Sequence, residues 1–526
     1  MLRNILYFPL LVLALSACSS PSYDILIKNG TVYDGSGSPG QQMDVAINAD
    51  KIVKIAPRIS GNSQTVIDAS GMAVSPGFID LHTHLEPLPT DPKAESHVRQ
   101  GVTLALGGPD GSCPLPLSAY LDSLEKITIG LNVAFLVGHN SVREQVMGLV
   151  SRDPEAAELE QMQSLVEQGM KDGAYGISTG LKYLPGTYSK IDEVIALSKV
   201  AAQHGGIYTS HLREEGLELL DGVAEAIRIA EEAAIPVVLT HHKVVGFPMW
   251  GSSIKTLDMV DAANERGLDV MIDQYPYTAS HTSISIIIPS WALEGDPVGG
   301  FAQRCQNPAL RDSIKQAIVF NLINDRGGND LRRVQFSRVT WDPTLEGKTL
   351  YDWAVREGME PSLENGAELV IQAQIKGGAN CIFHAMSDED VERIMQHPKT
   401  MIASDGRLSQ PGKGHPHPRA YGTFPRVLGH YSRDKQILTL ESAIHKMTGM
   451  PATRMGLTDR GFLKEGYFAD ITIFDPASVA DQSTFEAPHQ YPKGIQYVLV
   501  NGSKVVDDGN YVDTRAGRVL RKAVAQ

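Results

Sequence analysis

Short apolar runs alternate with amphipathic helical patterns between residues 75 and 406. Eight runs have the length and the β-branched content of buried strands: GFIDLHTH, TLALGGPD, NVAFLVGH, YGISTGL, GIYTSHL, PVVLTHH, LDVMIDQYP and TMIASDG. Helical periodicity separates most of them; in LLDGVAEAIRIAEEAA, for example, Leu220, Val223 and Ile227 share one face. Strands that alternate with helices predict a parallel sheet, and eight such units predict a closed (β/α)8 barrel over residues 76–454.

The spacing of these runs is uneven late in the barrel. About 120 residues separate the seventh run from the eighth, which is too many for one crossover connection. This gap predicts an inserted subdomain at about 285–345.

The two flanks of the barrel have a different pattern. YDILIKNGTVYDG and MDVAINADKIVKIAP near the start, and FADITIFDP and GIQYVLVNG near the end, alternate apolar with polar residues. Neither flank has enough strands to be stable alone. The pattern therefore predicts one small β-sandwich composed of residues 24–75 and 455–515.

The first twenty residues, MLRNILYFPLLVLALSACSS, have the pattern of a secretory signal. A basic residue precedes an apolar segment that is too short to span a bilayer. Leu15-Ser16-Ala17-Cys18 resembles the lipobox of bacterial lipoproteins, which predicts a signal segment at 1–18 and a lipid on Cys18; an ordinary cleaved signal is the alternative. Ser19 does not resemble an inner-membrane retention signal. The predicted location is the bacterial cell envelope, as a periplasm-facing lipoprotein of the outer membrane.

Composition narrows the choice of partners. The 526 residues carry a formal net charge of −14, and this sign argues against a nucleic-acid partner, which requires basic surface. The remaining cysteines, Cys113, Cys305 and Cys381, are too few and too scattered for a disulfide framework. We expect a small-molecule substrate, and contact with a membrane through the lipid anchor only.

Potential metal ligands occur at the ends of five predicted strands. His82 and His84 end the first; because they are two residues apart in a strand, both imidazoles can face one ion. The other ends carry Asp110, His211, His241 and Asp405. Catalytic groups of (β/α)8 barrels lie at the carboxyl ends of strands, and imidazole with carboxylate suits zinc. A single histidine at a strand end is usually structural, but histidine or aspartate at five strand ends indicates a metal centre.

A known family shares these motifs. SPGFIDLHTHLE resembles the opening motif of the amidohydrolase superfamily, and the remainder is similar to its N-acyl-D-amino-acid deacylase (D-aminoacylase) branch. The matching segments include GLKYLPGTYS, HGGIYTSHLREEG, THHKVVG, YPYTAS, MIASDG and HPRAYGTFPRVLGHY. The similarity extends from residue 24 to residue 520.

The resemblance implies roles for individual residues. His211 and His241 would bind one zinc ion tightly, His82 and His84 would form a weaker second position, and Asp405 would be both ligand and catalytic base. Five positions match residues that hold the substrate carboxylate: Tyr183, Lys243, Tyr277, Ser283 and Arg419. An arginine aided by an ammonium group and hydroxyls suits a fixed carboxylate. Solvation at the surface is the alternative for Lys243 and Arg419.

One position departs from the family pattern. The family has GNCG at the end of the second strand, where the cysteine binds zinc, whereas this chain has GGPDGSC. Alignment on the residue before glycine places Asp110 at the cysteine position, and Cys113 lies three residues further on. A carboxylate bridges two cations readily and resists oxidation in the periplasm. We therefore predict Asp110 as the ligand, with Cys113 as the alternative.

These inferences predict zinc-dependent hydrolysis of N-acyl-D-amino acids, with one tightly bound zinc ion and room for a second. An amidohydrolase acting on cyclic amides (hydantoin or dihydroorotate type), or on dipeptides containing a D-residue, would use the same metal apparatus. A lipid-anchored binding protein without turnover is the remaining alternative. It would require neither Asp405 nor the histidines.

Overall fold

The computed structural model describes residues 22–523 of the chain. The predicted signal segment 1–18 and the lipidation site Cys18 lie outside the described residues. Among residues 22–523, no helix combines the length and the apolar composition that crossing a membrane requires.

The described chain alternates strands and helices along most of its length. The strands are β1 (Ser22–Val32), β2 (Gln41–Asn48), β3 (Lys51–Ala56), β4 (Asn62–Asp68), β5 (Ala73–Pro76), β6 (Phe78–Asp80), β7 (Thr83–His84), β8 (Val102–Gly107), β9 (Asn132–Phe135), β10 (Val137–Gly138), β11 (Gly176–Gly180), β12 (Ile207–His211), β13 (Val237–Leu239), β14 (Val270–Gln274), β15 (Ser280–Ser283), β16 (Val334–Arg338), β17 (Asn380–Phe383), β18 (Thr400–Ile402), β19 (Gly406–Arg407), β20 (Ile471–Phe474), β21 (Ile495–Val500), β22 (Ser503–Asp507) and β23 (Asn510–Tyr511). The α-helices are α1 (Glu95–Val98), α2 (Leu117–Glu125), α3 (His139–Met147), α4 (Ala156–Lys171), α5 (Ile191–Gln203), α6 (Leu219–Ala233), α7 (Ser253–Glu265), α8 (Gly299–Arg304), α9 (Pro308–Asn321), α10 (Leu350–Arg356), α11 (Leu363–Ile375), α12 (Asp388–Gln396), α13 (Arg419–Arg426), α14 (Leu440–Met447) and α15 (Gly449–Met455).

The barrel is formed by parallel strands that match the eight predicted runs. One stretch has the order β6-β8-β9 and the other the order β10-β11-β12-β13-β14-β18, with only Leu136 between β9 and β10. The ring closes where Ser404 N donates to Asp80 Oδ1 at 2.9 Å and Asp405 N donates to His82 O at 2.9 Å. The strands and their helical connections confirm the predicted (β/α)8 fold class.

Helix α6 shows how the outer layer is held against the barrel. Its buried residues include Leu219, Val223, Ala226 and Ala230, which recur at intervals of three and four and form one apolar stripe. Burying each large side chain of such a stripe contributes about 1.5–3 kcal/mol. Leu220, which we expected on this face, is only partly buried. The helix begins one residue earlier, and Leu219 takes that position.

Strands from both flanks hydrogen-bond into one nine-stranded sheet. Its order is β23-β22-β21-β20-β5-β1-β2-β3, and β4 pairs with β1. The two flanks meet where β5 runs antiparallel to β20, with Val74 opposite Ile473. A buried polar network ties this sheet to barrel strand β9: Arg460 pairs with Asp470, and Asn501 Nδ2 donates to Asn132 Oδ1 at 2.8 Å.

The segment between β14 and β18 contains a sheet of its own. Strands β15, β17 and β16 form an antiparallel three-stranded sheet, and an apolar cluster around Phe336, Trp353 and Phe383 packs beside it. Sheet and cluster occupy residues 280–383, whereas we expected an insert at about 285–345. The difference arises because β17, at the far end, pairs with β15, at the near end. Local periodicity does not reveal such a pairing.

Candidate metal centre

Four imidazoles and two carboxylates converge at the carboxyl ends of the barrel strands. They form two groups, in each of which one ligand atom from every residue lies within 4.8 Å of the others. The first group is His82, His84, Asp110 and Asp405, and the second is Asp110, His211 and His241. Barrel closure therefore brings together all six residues that we predicted as ligands.

Asp110 belongs to both groups. Its Oδ1 lies 3.5 Å from His82 Nε2, 3.5 Å from His211 Nδ1 and 3.3 Å from His241 Nε2. Its Oδ2 lies 3.7 Å from His84 Nε2. One carboxylate thus faces every imidazole of the cluster, the arrangement required to bridge two cation positions.

Three of the six residues have an unusual backbone conformation. The φ angles of Asp110, His241 and Asp405 are 53°, 36° and 49°, in the left-handed region that favours glycine. Such a conformation in a non-glycine residue costs on the order of 1–3 kcal/mol and persists only where surrounding contacts impose it. The fold therefore maintains local strain at the residues whose side chains point into the cluster.

A hydrogen-bond chain sets the orientation of His82. The Thr240 hydroxyl donates to Asp273 Oδ2 at 2.8 Å and lies 2.7 Å from His82 Nδ1. Because the hydroxyl hydrogen is directed to Asp273, Thr240 Oγ1 accepts from His82 Nδ1. This leaves the lone pair of His82 Nε2 facing Asp110 and Asp405, with 3.5 Å to an oxygen of each.

The donor set fits zinc. Among the described residues, His82 Nε2 and His211 Nδ1 are buried and have no hydrogen-bond partner. Buried polar atoms are seldom left unsatisfied, and a cation between the imidazoles and the carboxylates would satisfy both. Imidazole nitrogen and carboxylate oxygen are common zinc ligands.

The electrostatic environment keeps the two carboxylates ionised. Burial alone would raise the pKa of Asp405, but the Arg419 guanidinium and His82 hold it well below the usual range. Burial opposes ionisation of Asp110 as well, but the nearby imidazoles, His82 first, keep its pKa well below the ordinary value.

Burial lowers the pKa of His211 to about 4. Burial and Lys243 would also lower the pKa of His241, but Asp110 and Glu215 outweigh them and raise it to about 9. Metal binding requires the unprotonated nitrogen of each ring.

Cys113 lies outside both groups. Its sulfur accepts a hydrogen bond from Gly138 N at 3.0 Å, and burial raises the pKa of the thiol to about 11. The thiol is therefore protonated at neutral pH, and a protonated thiol is a poor metal ligand. The geometry favours Asp110 at the position that the family gives to cysteine.

Two predicted substrate-binding residues line a pocket of about 720 Å³, and one of them, Arg419, contacts Asp405 of the cluster. Arg419 and Ser283 are part of the lining, together with His281 and His417. Arg419 begins helix α13, and its Nη2 donates to the His281 carbonyl at 3.4 Å. Ser283 Oγ accepts a hydrogen bond from Ser285 N at 3.2 Å.

Two other predicted substrate-binding residues lie beside the histidines. The Tyr183 ring centroid is 4.5 Å from that of His211, and Thr282 Oγ1 donates to the Tyr183 hydroxyl at 3.1 Å. Lys243 is buried: it is ion-paired with Glu215, and its Nζ lies 2.6 Å from His241 Nδ1. Burial lowers the pKa of Lys243, and Glu215 opposes that shift.

The fifth, Tyr277, does not line this pocket. Its ring packs against Arg426, whose guanidinium carbon is 4.9 Å from the ring centroid. Tyr275, two residues earlier, lies instead beneath Arg419, 4.7 Å from its guanidinium carbon, and 5.8 Å from Lys243 Nζ. Both tyrosines occur in YPYTAS, and neither is part of the pocket lining.

Sequence reasoning missed Glu215 and Arg326. Glu215 lies in HLREEG, four residues after His211, so an acidic residue near a ligand was the available signal. Its carboxylate pairs with Lys243 and, at 2.9 Å, with Arg326 Nη2. Arg326 comes from the insert, where no local pattern indicates that it reaches the metal centre.

The sequence of this chain is similar to a family model and to proteins of known activity. The amidohydrolase family model matches residues 338–506. D-aminoacylase from Alcaligenes xylosoxydans is 36% identical over 539 aligned residues, which cover 97% of this chain and 100% of the relative.

Solved structures show the same likeness over almost the whole chain. A D-aminoacylase structure determined for the role of its binuclear metal centre is 34% identical, covers 95% of this chain and 100% of its own, and superposes with a TM-score of 0.80. An N-acyl-D-glutamate deacylase from Bordetella bronchiseptica, complexed with zinc and a phosphonate mimic of the tetrahedral intermediate, is 33% identical. It has the same coverage and a TM-score of 0.80.

Proposed function

We propose that this chain, which belongs to the N-acyl-D-amino-acid deacylases of the amidohydrolase family, uses zinc to hydrolyse the amide bond of N-acyl-D-amino acids. The products would be a carboxylic acid and a free D-amino acid. The observation that carries the proposal is the convergence of four histidines, Asp110 and Asp405 at one end of the barrel. The D configuration and the acyl substrate are supported by the 36% identity with D-aminoacylase.

Asp405 is the proposed general base. Zinc bound at the cluster would polarise the amide carbonyl and lower the pKa of a water molecule from about 15.7 to about 7. The Asp405 carboxylate, ionised at neutral pH, accepts the proton of the attacking water and delivers it to the departing amine nitrogen. Its Oδ1 faces His82 and His84, at 3.5 and 3.2 Å, so this oxygen is directed into the cluster.

Arg419 is the proposed anchor of the substrate carboxylate. It lines the pocket and is almost completely buried, so its guanidinium group has little contact with water. A guanidinium group can hold a carboxylate through two parallel hydrogen bonds. Because Arg419 Nη1 lies 2.8 Å from Asp405 Oδ2, an acyl amino acid held by this guanidinium would have its amide near the proposed base.

A substrate panel tests the proposal. The purified protein would be incubated with N-acetyl-D-amino acids, N-acetyl-L-amino acids, hydantoins and dipeptides, and the products would be identified by mass spectrometry. We expect release of free D-amino acids, and loss of this activity after chelation with recovery on addition of zinc. Full activity after complete metal removal, or turnover of cyclic amides alone, would contradict the proposal.

The cellular location is a separate proposal. We propose that Cys18 carries the lipid that attaches the protein to the outer membrane, with the catalytic domain facing the periplasm. Its support is the sequence Leu15-Ser16-Ala17-Cys18 after an apolar segment, and Ser19 after the cysteine.

A further inference from the structure

Glu215 is a buried carboxylate to which the proposed mechanism gives no part. We propose that Glu215 is a positioning residue that orients His211 and His241, so that the metal-facing nitrogen of each ring is unprotonated. The inference rests on the metal site of the proposed function, but not on the identity of the substrate.

The geometry places both rings between two carboxylates. On one side, Asp110 Oδ1 lies 3.5 Å from His211 Nδ1 and 3.3 Å from His241 Nε2. On the other side, Glu215 Oε2 lies 3.6 Å from His211 Nε2, and Glu215 Oε1 lies 3.3 Å from His241 Nδ1. Each Glu215 oxygen therefore faces the outer nitrogen of a different ring.

This arrangement selects a tautomer for each histidine. A neutral imidazole that binds a metal through one nitrogen carries its hydrogen on the other nitrogen. Lys243 Nζ, 2.6 Å from His241 Nδ1, can only donate, so it competes with Glu215 Oε1, at 3.3 Å, for that nitrogen. When a metal occupies Nε2 the hydrogen must lie on Nδ1, and the Glu215 carboxylate is then the partner that can accept it. His211 Nε2, which is buried and has no hydrogen-bond partner among the described residues, faces the same carboxylate at 3.6 Å. With a metal bound, Glu215 would therefore stabilise the hydrogen on the outer nitrogen of each ring and leave both inner nitrogens free to coordinate.

Glu215 is itself held in place. Lys243 pairs with Oε1, and Arg326 Nη2 donates to Oε2 at 2.9 Å. Arg326 Nη1 also donates to Ser280 Oγ at 2.9 Å, which fixes the guanidinium against strand β15. Since all three charged groups are buried, the carboxylate has little freedom to move. Outer partners of this kind orient metal-binding histidines and increase their basicity.

If the ion pairs of Glu215 had a purely structural role, zinc affinity would respond differently to substitution. In that case Glu215 would serve only to neutralise Lys243 and Arg326, and zinc affinity would not depend on where its oxygens lie. The experiment must therefore separate the charge of the carboxylate from its position.

Glu215→Gln removes the charge and keeps the shape. Metal-free protein would be titrated with zinc in competition with a chromophoric chelator, without substrate. We expect zinc affinity to fall about 10- to 100-fold, the usual effect of removing an outer partner of a metal ligand. Glu214→Gln is the matched control, because Glu214 is adjacent but pairs with Lys182 at 2.7 Å; it should leave zinc affinity unchanged.

Glu215→Asp separates the two explanations and covers the case in which Glu215→Gln does not fold. It retains a charge for Lys243 and Arg326 but withdraws the oxygens from the imidazoles, so zinc affinity should again fall. NMR of the zinc-loaded protein labelled with 15N-histidine should show His211 protonated on Nε2 and His241 on Nδ1 in the wild type.

Unchanged zinc affinity in the variants would overturn the inference. If the folded variants at position 215 bind zinc as tightly as the wild type, Glu215 is structural and the inference is overturned. That outcome would leave the substrate panel unaffected. A wild-type protein that binds no zinc would instead overturn the proposed function.

Discussion

The Arg419 guanidinium lies 2.8 Å from Oδ2 of Asp405, and both side chains are buried. The two residues were predicted for separate tasks, one to hold the substrate carboxylate and the other to act as base. Their contact joins the substrate pocket to the metal centre through one ion pair. A substrate carboxylate bound by Arg419 would therefore lie within a few ångströms of the proposed base.

Arg419→Ala should impair substrates with a free carboxylate much more than the corresponding amides. Truncation of one partner of a desolvated charge pair costs roughly 2–5 kcal/mol, and only the acid forms such a pair with Arg419. The measurement is kcat/KM for matched acids and amides. Both should lose some activity because Asp405 also loses its partner, so the difference between them is decisive. Equal losses would indicate that Arg419 serves only Asp405.

Substitutions at Asp110 and Cys113 should separate the two ligand candidates. Asp110→Asn should lose tightly bound zinc and most activity, because a neutral amide is a poor ligand for the cation. Asp110→Cys restores the family's ligand type and should retain zinc and some activity. Cys113→Ser is the control and should change little. Zinc content, measured by mass spectrometry of the metals, would contradict this assignment if only Cys113→Ser lost the metal.

Asp405→Asn should abolish most turnover without emptying the site. General base catalysis contributes about 10²- to 10⁴-fold, and we expect a loss of kcat in this range. Zinc should remain bound, because the group of Asp110, His211 and His241 does not include Asp405. Asp388→Asn, at an exposed carboxylate, is the control. Complete loss of zinc from the Asp405 variant would indicate that its main role is coordination.

Asp470→Asn should destabilise the contact between the nine-stranded sheet and the barrel. The change leaves buried Arg460 without its charged partner, and breaking a buried pair in this way costs about 3–5 kcal/mol. Urea unfolding of the metal-loaded protein would measure the loss. Glu167→Gln, at an exposed pair with Lys171, should show no measurable change. Equal stability of the Asp470 variant and the wild type would mean that the Arg460–Asp470 pair does not stabilise the fold.

Cys18→Ser should release the protein from the membrane without loss of activity. The predicted lipid is attached far along the chain from the barrel, so nothing in the site depends on it. Fractionation of cells followed by activity measurement would test this. A Cys18→Ser protein that stays in the membrane fraction after a high-salt wash would exclude a lipid anchor on this residue.

The sequence alone was sufficient to predict the barrel and the six side chains that cluster at its rim. Strands buried on both faces appear as continuous apolar runs, so all eight could be found from local pattern. In such a fold the strand ends meet at one rim, and His82, Asp110, His211, His241 and Asp405 were therefore expected to meet. Asp110 could be preferred over Cys113 because alignment on the residue before glycine places the aspartate at the family's cysteine position, and because a carboxylate resists oxidation.

The tertiary structure alone decided how distant segments complete the site. Arg326 reaches Glu215 from more than a hundred residues away, and Tyr275 rather than Tyr277 lies beneath Arg419. The insert extends to residue 383 because β17 returns to pair with β15. Neighbouring residues encode periodicity and turns, whereas these contacts exist only after the chain has closed the barrel and packed the insert over its rim.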